Sequence, residues 1–165
     1  MDNIDIAKGL ILKNLNIKSK NSLDNRVIIQ KKIYLLQEQE VDLGYEYNWY
    51  LKGPYSPTLT SYVYDNLDIL NSMEYNGVSL NDVVIGKIEK VNRFNEYKPD
   101  NLSEADWYEL LASMLYIFKN YNAWAINKDK EDIIKTLIIE KPKYSPNDCE
   151  YAFEKLIESE YIEVA

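Results

Sequence analysis

Along most of this chain apolar residues return every three or four positions, the spacing of helices with one buried face. Ile4, Ala7, Leu10, Ile11 and Leu15 form such a stripe over residues 3–15. After a polar break at 18–21, Ser22 is placed to cap a second helix that runs to about Gln39. In it Val27, Ile29, Ile33 and Leu36 face a core, while Arg26, Lys31 and Lys32 are expected to stay in water. Past Gly44 the period changes to two: Tyr45, Tyr47, Trp49 and Leu51 alternate with Glu46, Asn48, Tyr50 and Lys52, which predicts a strand over 45–52. Gly53-Pro54 reads as its end. Ser56-Pro57 then supplies a cap and a proline at the first helical position, ahead of Leu59, Tyr62, Val63, Leu67 and Leu70 on one helix face.

The second half repeats the helical pattern. Asn76-Gly77 marks a turn, and Leu80, Val84, Ile88 and Val91 predict a helix to about Asn92, followed by a polar loop over 95–102. Ser103 and Asp106 have the spacing of a capping box before Trp107, Leu110, Leu111, Met114 and Phe118. Another helix is expected over 129–140, stopped by Pro142. Ser145-Pro146 opens the last, which carries Cys149, Ala152, Phe153, Leu156 and Ile157. The tail 161–164 is read as a further short strand. Tyr-Ser-Pro occurs at 55–57 and at 144–146 and reads as two similar helix starts. No Gly/Ser-rich linker divides the chain, so the expectation is a single mainly α domain over 1–165 with a small β element, winged-helix-like in one version.

Composition narrows the chemistry. A folded chain of 165 residues buries roughly 70% of its unfolded surface, so no disulfide or metal is needed to hold it. With no histidine at all, the commonest acid–base group, every Ser-His or Cys-His relay and most zinc sites are excluded. The lone Cys149 has no disulfide partner within the chain and lies on an apolar stripe, where it reads as a small hydrophobe. The carboxylate pairs Glu38/Glu40, Glu131/Asp132 and Glu158/Glu160 fall on polar faces or helix ends, and no phosphate-loop, nucleophile-elbow or dinucleotide motif is present. The expectation is a non-enzyme with no catalytic residue, metal or cofactor. An acidic start and the lack of any apolar run of about 18 residues predict a cytoplasmic protein without a membrane partner.

The formal charge of -8 is uneven: residues 1–32 carry a net +4 and the remainder -12. That basic end either binds nucleic acid locally or packs against the acidic half of its own chain. Aromatic density is the other unusual feature, with Tyr45, Tyr47, Trp49, Tyr50 and Tyr55 inside eleven residues. The odd-numbered set through Trp49 belongs to the core face of the strand, whereas Tyr50 and Tyr55 lie off that face or beyond its end. Exposed Tyr and Trp serve protein interfaces or stack on single-stranded bases, and the acidic surround favours the first. Gly53-Pro54-Tyr55-Ser56-Pro57 is either a structural turn or a rigid loop that displays Tyr55.

The Gln30-Lys31-Lys32-Ile33-Tyr34-Leu35-Leu36-Gln37 segment, followed by Trp49-Tyr50-Leu51-Lys52-Gly53-Pro54-Tyr55-Ser56-Pro57 and Leu59, resembles the signature of YwgA-type proteins. It is similar, more distantly, to the SocA-like Panacea domain, in which a "KLLY" helix precedes an aromatic strand and a "GP" turn. The match is good over 26–67 and loose over 103–117 and 142–157. The resemblance implies a helical module that neutralises toxins by protein contact, as in phage or defence loci, with no catalytic residues. Tyr-Ser after Gly-Pro departs from the Panacea pattern.

Three expectations follow. The first is an antitoxin-like, defence-associated regulator that occludes a protein partner such as a toxin or nuclease. In it Tyr50, Tyr55 and Ser56 make contact, and neighbouring acids cover a basic surface. The second is a winged-helix-like nucleic-acid module using Arg26, Lys31 and Lys32. The third is an acidic mimic of DNA that titrates a nuclease or repressor.

Overall fold

Side-chain caps set the starts of the helices. In the computed structural model, which describes residues 2–163, α1 spans Asn3–Asn14, α2 Leu23–Gln37, α3 Pro57–Ser72, α4 Asp82–Arg93, α5 Glu104–Lys119, α6 Lys130–Glu140 and α7 Pro146–Glu158. Ser22, Ser56, Ser103 and Ser145 each accept a hydrogen bond from the backbone N–H three residues on, as their positions before apolar stripes predict. Asp2, Asn81 and Asp129 do the same for α1, α4 and α6. The reciprocal half of a capping box forms at Ser145/Asp148 and at Asp2/Asp5. At Ser103 the structure gives the serine's bond to the Asp106 N–H, without a return bond.

The mainly helical architecture with one small β element is as the pattern predicts. Its axis is α5, of which twelve residues are buried, Trp107 through Leu115 without interruption. It packs against α2, α6, α7 and the β element. A helix this enclosed must satisfy its polar groups internally, and the buried Ser113 hydroxyl is the one side-chain group that finds no partner among the described residues of α5. Trp107 Nε1 donates to the Phe94 carbonyl at 2.8 Å and the Tyr108 hydroxyl to the Val91 carbonyl at 2.7 Å, which ties α5 to the end of α4. Cutting Leu111 back to alanine at this centre should cost about 2–5 kcal/mol. Among the described residues no helix is long and apolar enough to cross a membrane.

The β element differs from expectation. Only Asn48–Tyr50 (β1) of the anticipated 45–52 strand is paired, and its partner is Gly53–Tyr55 (β2), the segment read as a strand terminator. Tyr50 opposes Gly53 and Asn48 opposes Tyr55, so Leu51 and Lys52 form a two-residue turn. The alternation itself is real: from Val41 to Tyr50 odd positions are half-buried and even ones exposed. The ladder is short because Ser56-Pro57 starts α3 immediately, leaving a partner of three residues. The tail is not a strand among the described residues: Tyr161 and Ile162 are buried, and Val164 lies outside them. Tyr161 donates to the Leu35 carbonyl at 3.0 Å and accepts from Gln39 Nε2 at 2.7 Å, plugging the core instead.

Gly53 is required twice over. Its φ of +89° lies in the left-handed region, and a Cβ there would collide with Ser113 Oγ on α5. Gly53→Ala is expected to cost about 2–4 kcal/mol, combining backbone strain with overpacking. Gly77, with φ +73° but open space around it, should cost only about 1 kcal/mol when changed to alanine. Urea denaturation of both variants measures the difference; equal losses would remove the Ser113 contact as a constraint.

Candidate functional site

The hairpin is held in place from α2. Glutamines at positions 30 and 37, two turns apart on one face of that helix, each pair with a stretch of extended backbone. Gln30 Oε1 accepts from the Ser56 N–H at 2.9 Å while its Nε2 donates to the Ser56 carbonyl at 3.0 Å. Gln37 repeats the arrangement on Tyr45, at 3.1 and 2.9 Å. Between these two clamps the Tyr47 hydroxyl donates to the Gln30 carbonyl at 2.8 Å.

Lysines complete the attachment. Lys31 is 1% exposed and its ammonium donates to the Pro54 carbonyl at 2.7 Å. From the other side Lys141, just past α6, donates to the Leu51 carbonyl at 2.9 Å and meets the Glu109 carboxylate at 3.3 Å. Glu109 is 2% exposed and accepts also from Lys143, at 3.3 Å, and from the Tyr144 hydroxyl, at 3.3 Å. Burial pushes the Lys31 ammonium down to about 7, opposed by the attraction of Glu109. Burial lowers Lys141 as well, with the same carboxylate working against it.

These contacts correct part of the expected site. Lys31 and Lys32 do not stay in water. Lys32 is 2% exposed, with its ammonium on the Leu15 carbonyl at 2.9 Å and Glu104 at 3.9 Å. Nine of the fifteen residues of α2 are buried, so the helix offers no basic face to a nucleic-acid groove; of Arg26, Lys31 and Lys32 only Arg26 reaches solvent. Elsewhere the basic N-terminal segment also turns inward: Lys20 pairs with Asp68 at 3.2 Å, and Lys8 sits over the Tyr45 and Tyr62 rings. Ser56 is buried as the cap of α3 and has no surface for a partner.

Tyr50 and Tyr55 do come together, their rings edge to face at 5.3 Å. Tyr50 is 46% exposed, and Leu51 at the turn is 90% exposed, an apolar side chain held out at the tip of a rigid hairpin. Beside Tyr55 opens a groove of about 290 Å³ between α2, α3 and the hairpin. Its walls are Leu23, Val27, Ile29 and Val63, with Tyr64 and Thr60 from α3. Its charged lining is Arg26, Lys31 and Lys52, and no acid lines it. Acidic neighbours for Tyr50 and Tyr55 were the expectation; around Tyr55 the groove supplies cations. Leu23 and Tyr64 are exposed at the same mouth. Lys52 and the glutamine clamps had a sequence signal, polar residues set in an apolar or aromatic run, that periodicity alone passes over.

Cys149 is buried, its thiol pushed up to about 12. Among the described residues no three His, Cys, Asp or Glu side chains gather as a metal set. Compared with models of protein families, with curated proteins and with solved structures, the chain matches none.

The lowered Lys31 sets a pH dependence. Between about 7 and 10.5 the unfolded chain holds this proton and the folded chain does not, so folding gains stability as pH rises through that window. One group contributes at most about 1.4 kcal/mol per pH unit. Denaturation at pH 7.0 and 8.5 should show stability rising, and Lys31→Met should remove about 1 kcal/mol per unit from that slope. An unchanged slope in Lys31→Met would place the titration elsewhere.

Proposed function

We propose that this chain is a non-enzymatic protein-binding module, an antitoxin-like or defence-associated regulator that acts by covering a surface of a protein partner. The observation that carries the reading is Leu51, almost fully exposed at a hairpin tip next to the edge-to-face pair Tyr50 and Tyr55. An apolar tip on a flexible loop is unremarkable, whereas this one is bolted to the core through Lys31, Lys141 and Gln30. Rigid aromatic and aliphatic anchors lose little entropy on binding and dominate protein interfaces. Leu23 and Tyr64, exposed across the groove, extend the apolar surface beyond the hairpin. The resemblance of residues 26–67 to YwgA-type proteins and the Panacea domain points the same way and motivates the antitoxin assignment. Burial of Lys31 and Lys32 weighs against the nucleic-acid reading.

The test is capture of partners from the native host with the tagged protein, beside Leu51→Lys and the Tyr50→Ala/Tyr55→Ala double variant. Partner affinity is expected to fall at least tenfold in each, about 1.4 kcal/mol or more. Leu51→Lys should leave the melting temperature unchanged, since its side chain touches water. Recovery of the same partner at equal yield by all three proteins would defeat the proposal.

A further inference from the structure

The polarity of the groove is fixed by the hydrogen bonds beneath it. Gln30 Oε1 must accept, because the Ser56 N–H points at it, so Nε2 carries the donors. Nε2 donates to Thr60 Oγ1 at 2.9 Å, and the Thr60 hydroxyl donates in turn to the Tyr55 oxygen at 2.7 Å. The Tyr55 hydroxyl has then accepted, and its proton remains to be donated outward. Arg26 gives one N–H to the Lys20 carbonyl at 3.1 Å and keeps four others. Lys52 stands on the exposed turn of the hairpin. The floor between these donors is aliphatic, Val27 and Val63.

We infer that this groove takes an acidic segment of a partner protein, with a large apolar side chain on the floor and a carboxylate received by Arg26, Lys52 and the Tyr55 hydroxyl. The inference rests on the protein-binding reading above and names the partner's chemistry. Charge complementarity carries it: donors and cations line the groove without an acid among them, on a chain whose net charge is -8. A nucleic-acid strand fits less well. Tracking a backbone takes a row of cations, and here two are accessible; Tyr50 and Tyr55 pack edge to face on each other instead of presenting parallel faces to bases. A bare inorganic anion would leave the aliphatic floor wet. At about 290 Å³ the groove lies at the lower end of ligand-pocket sizes, suited to one or two side chains of a longer segment.

A displayed library of random twelve-residue peptides tests this, selected on the wild-type protein and on Arg26→Glu/Lys52→Glu. Circular dichroism melts first establish that the variant is folded. The wild-type pool is expected to be enriched at least threefold in Asp and Glu, together with a large apolar residue. A selected peptide, labelled for fluorescence anisotropy, should bind the charge-reversed variant at least tenfold more weakly and Tyr55→Phe several-fold more weakly. Its affinity should fall as salt rises from 50 to 500 mM. A pool enriched in basic or uncharged peptides, or equal binding by the variant, overturns the inference. So does a 20-nucleotide single strand that binds more tightly than the peptide through the same two residues. Partner capture separates the two levels of the argument. Capture lost in Leu51→Lys but retained in Arg26→Glu/Lys52→Glu sinks the acidic-segment inference alone. Capture indifferent to Leu51→Lys and to the tyrosine variants sinks the protein-binding reading itself.

Discussion

The hairpin end of this molecule depends on one buried carboxylate. A hairpin of three-residue strands has no independent stability in water, and here it is fastened by two ammonium groups, Lys31 on Pro54 and Lys141 on Leu51. Both lysines are almost completely buried, a state that costs several kcal/mol per ion unless it is compensated, and above about pH 7 Lys31 holds the Pro54 carbonyl as a neutral amine. Glu109 supplies the compensation: it touches Lys141 directly and attracts Lys31. Replacing such a set with apolar side chains often leaves a protein as stable or more so. A methionine, however, cannot hold a backbone carbonyl at a set place, and position is what the hairpin needs. The ion cluster is therefore best understood as a positional device whose energetic cost the helical core offsets.

From that cluster the geometry of the groove follows. Gln30 and Lys31 are adjacent on α2, one bonding Ser56 and the other Pro54, so the Gly53–Ser56 segment cannot slide along the helix. The same Gln30 orients Thr60, which orients Tyr55. One residue thus bonds both the backbone of the hairpin and the hydroxyl pair at its surface. Ser113 Oγ, directly beneath Gly53, leaves no room for a side chain there, which keeps hairpin and α5 in close contact. Sites assembled on helices in this way are held more tightly than sites on loops.

Helices and their caps were legible because each rests on local chemistry: a period of 3.6, a serine before it, a proline at the first turn. The strand length was not, because pairing depends on a partner, and the partner was disguised as a Gly-Pro terminator. Lys31 and Lys32 were misplaced for a related reason. Periodicity assigns a lysine to water, but their acceptors are backbone carbonyls 23 and 17 residues away in sequence, and a carbonyl has no side-chain signature. Tyr50 and Tyr55 were legible as odd residues out of an alternation, and the groove beside them was not, since it forms only where α2, α3 and the hairpin converge. Gln30-Lys31 and Gly53-Pro54-Tyr55-Ser56, well apart in sequence, are bonded to each other.

An acidic partner for an acidic protein needs the local field to outweigh the global one, and the magnitudes decide it. A folded chain of this length has a radius of gyration of roughly 15 Å, so its surface lies on the order of 20 Å from its centre. A net charge of -8 acting across that distance in water repels one unit negative charge by roughly 1.5–2 kcal/mol before screening. With a Debye length of about 8 Å at physiological ionic strength, the repulsion falls to a few tenths of a kcal/mol. A carboxylate about 4 Å from a single guanidinium at a protein surface gains on the order of 4 kcal/mol before desolvation. Contact charge therefore dominates once the segment is seated, and net charge acts mainly on the approach. On the proposed reading, the acidic body would slow encounter with acidic molecules in general, while the cation-lined groove would reward only a segment whose shape lets its carboxylate reach Arg26 and Lys52. Selectivity of that kind comes from opposing the long-range field with a short-range one, which a uniformly basic surface cannot do.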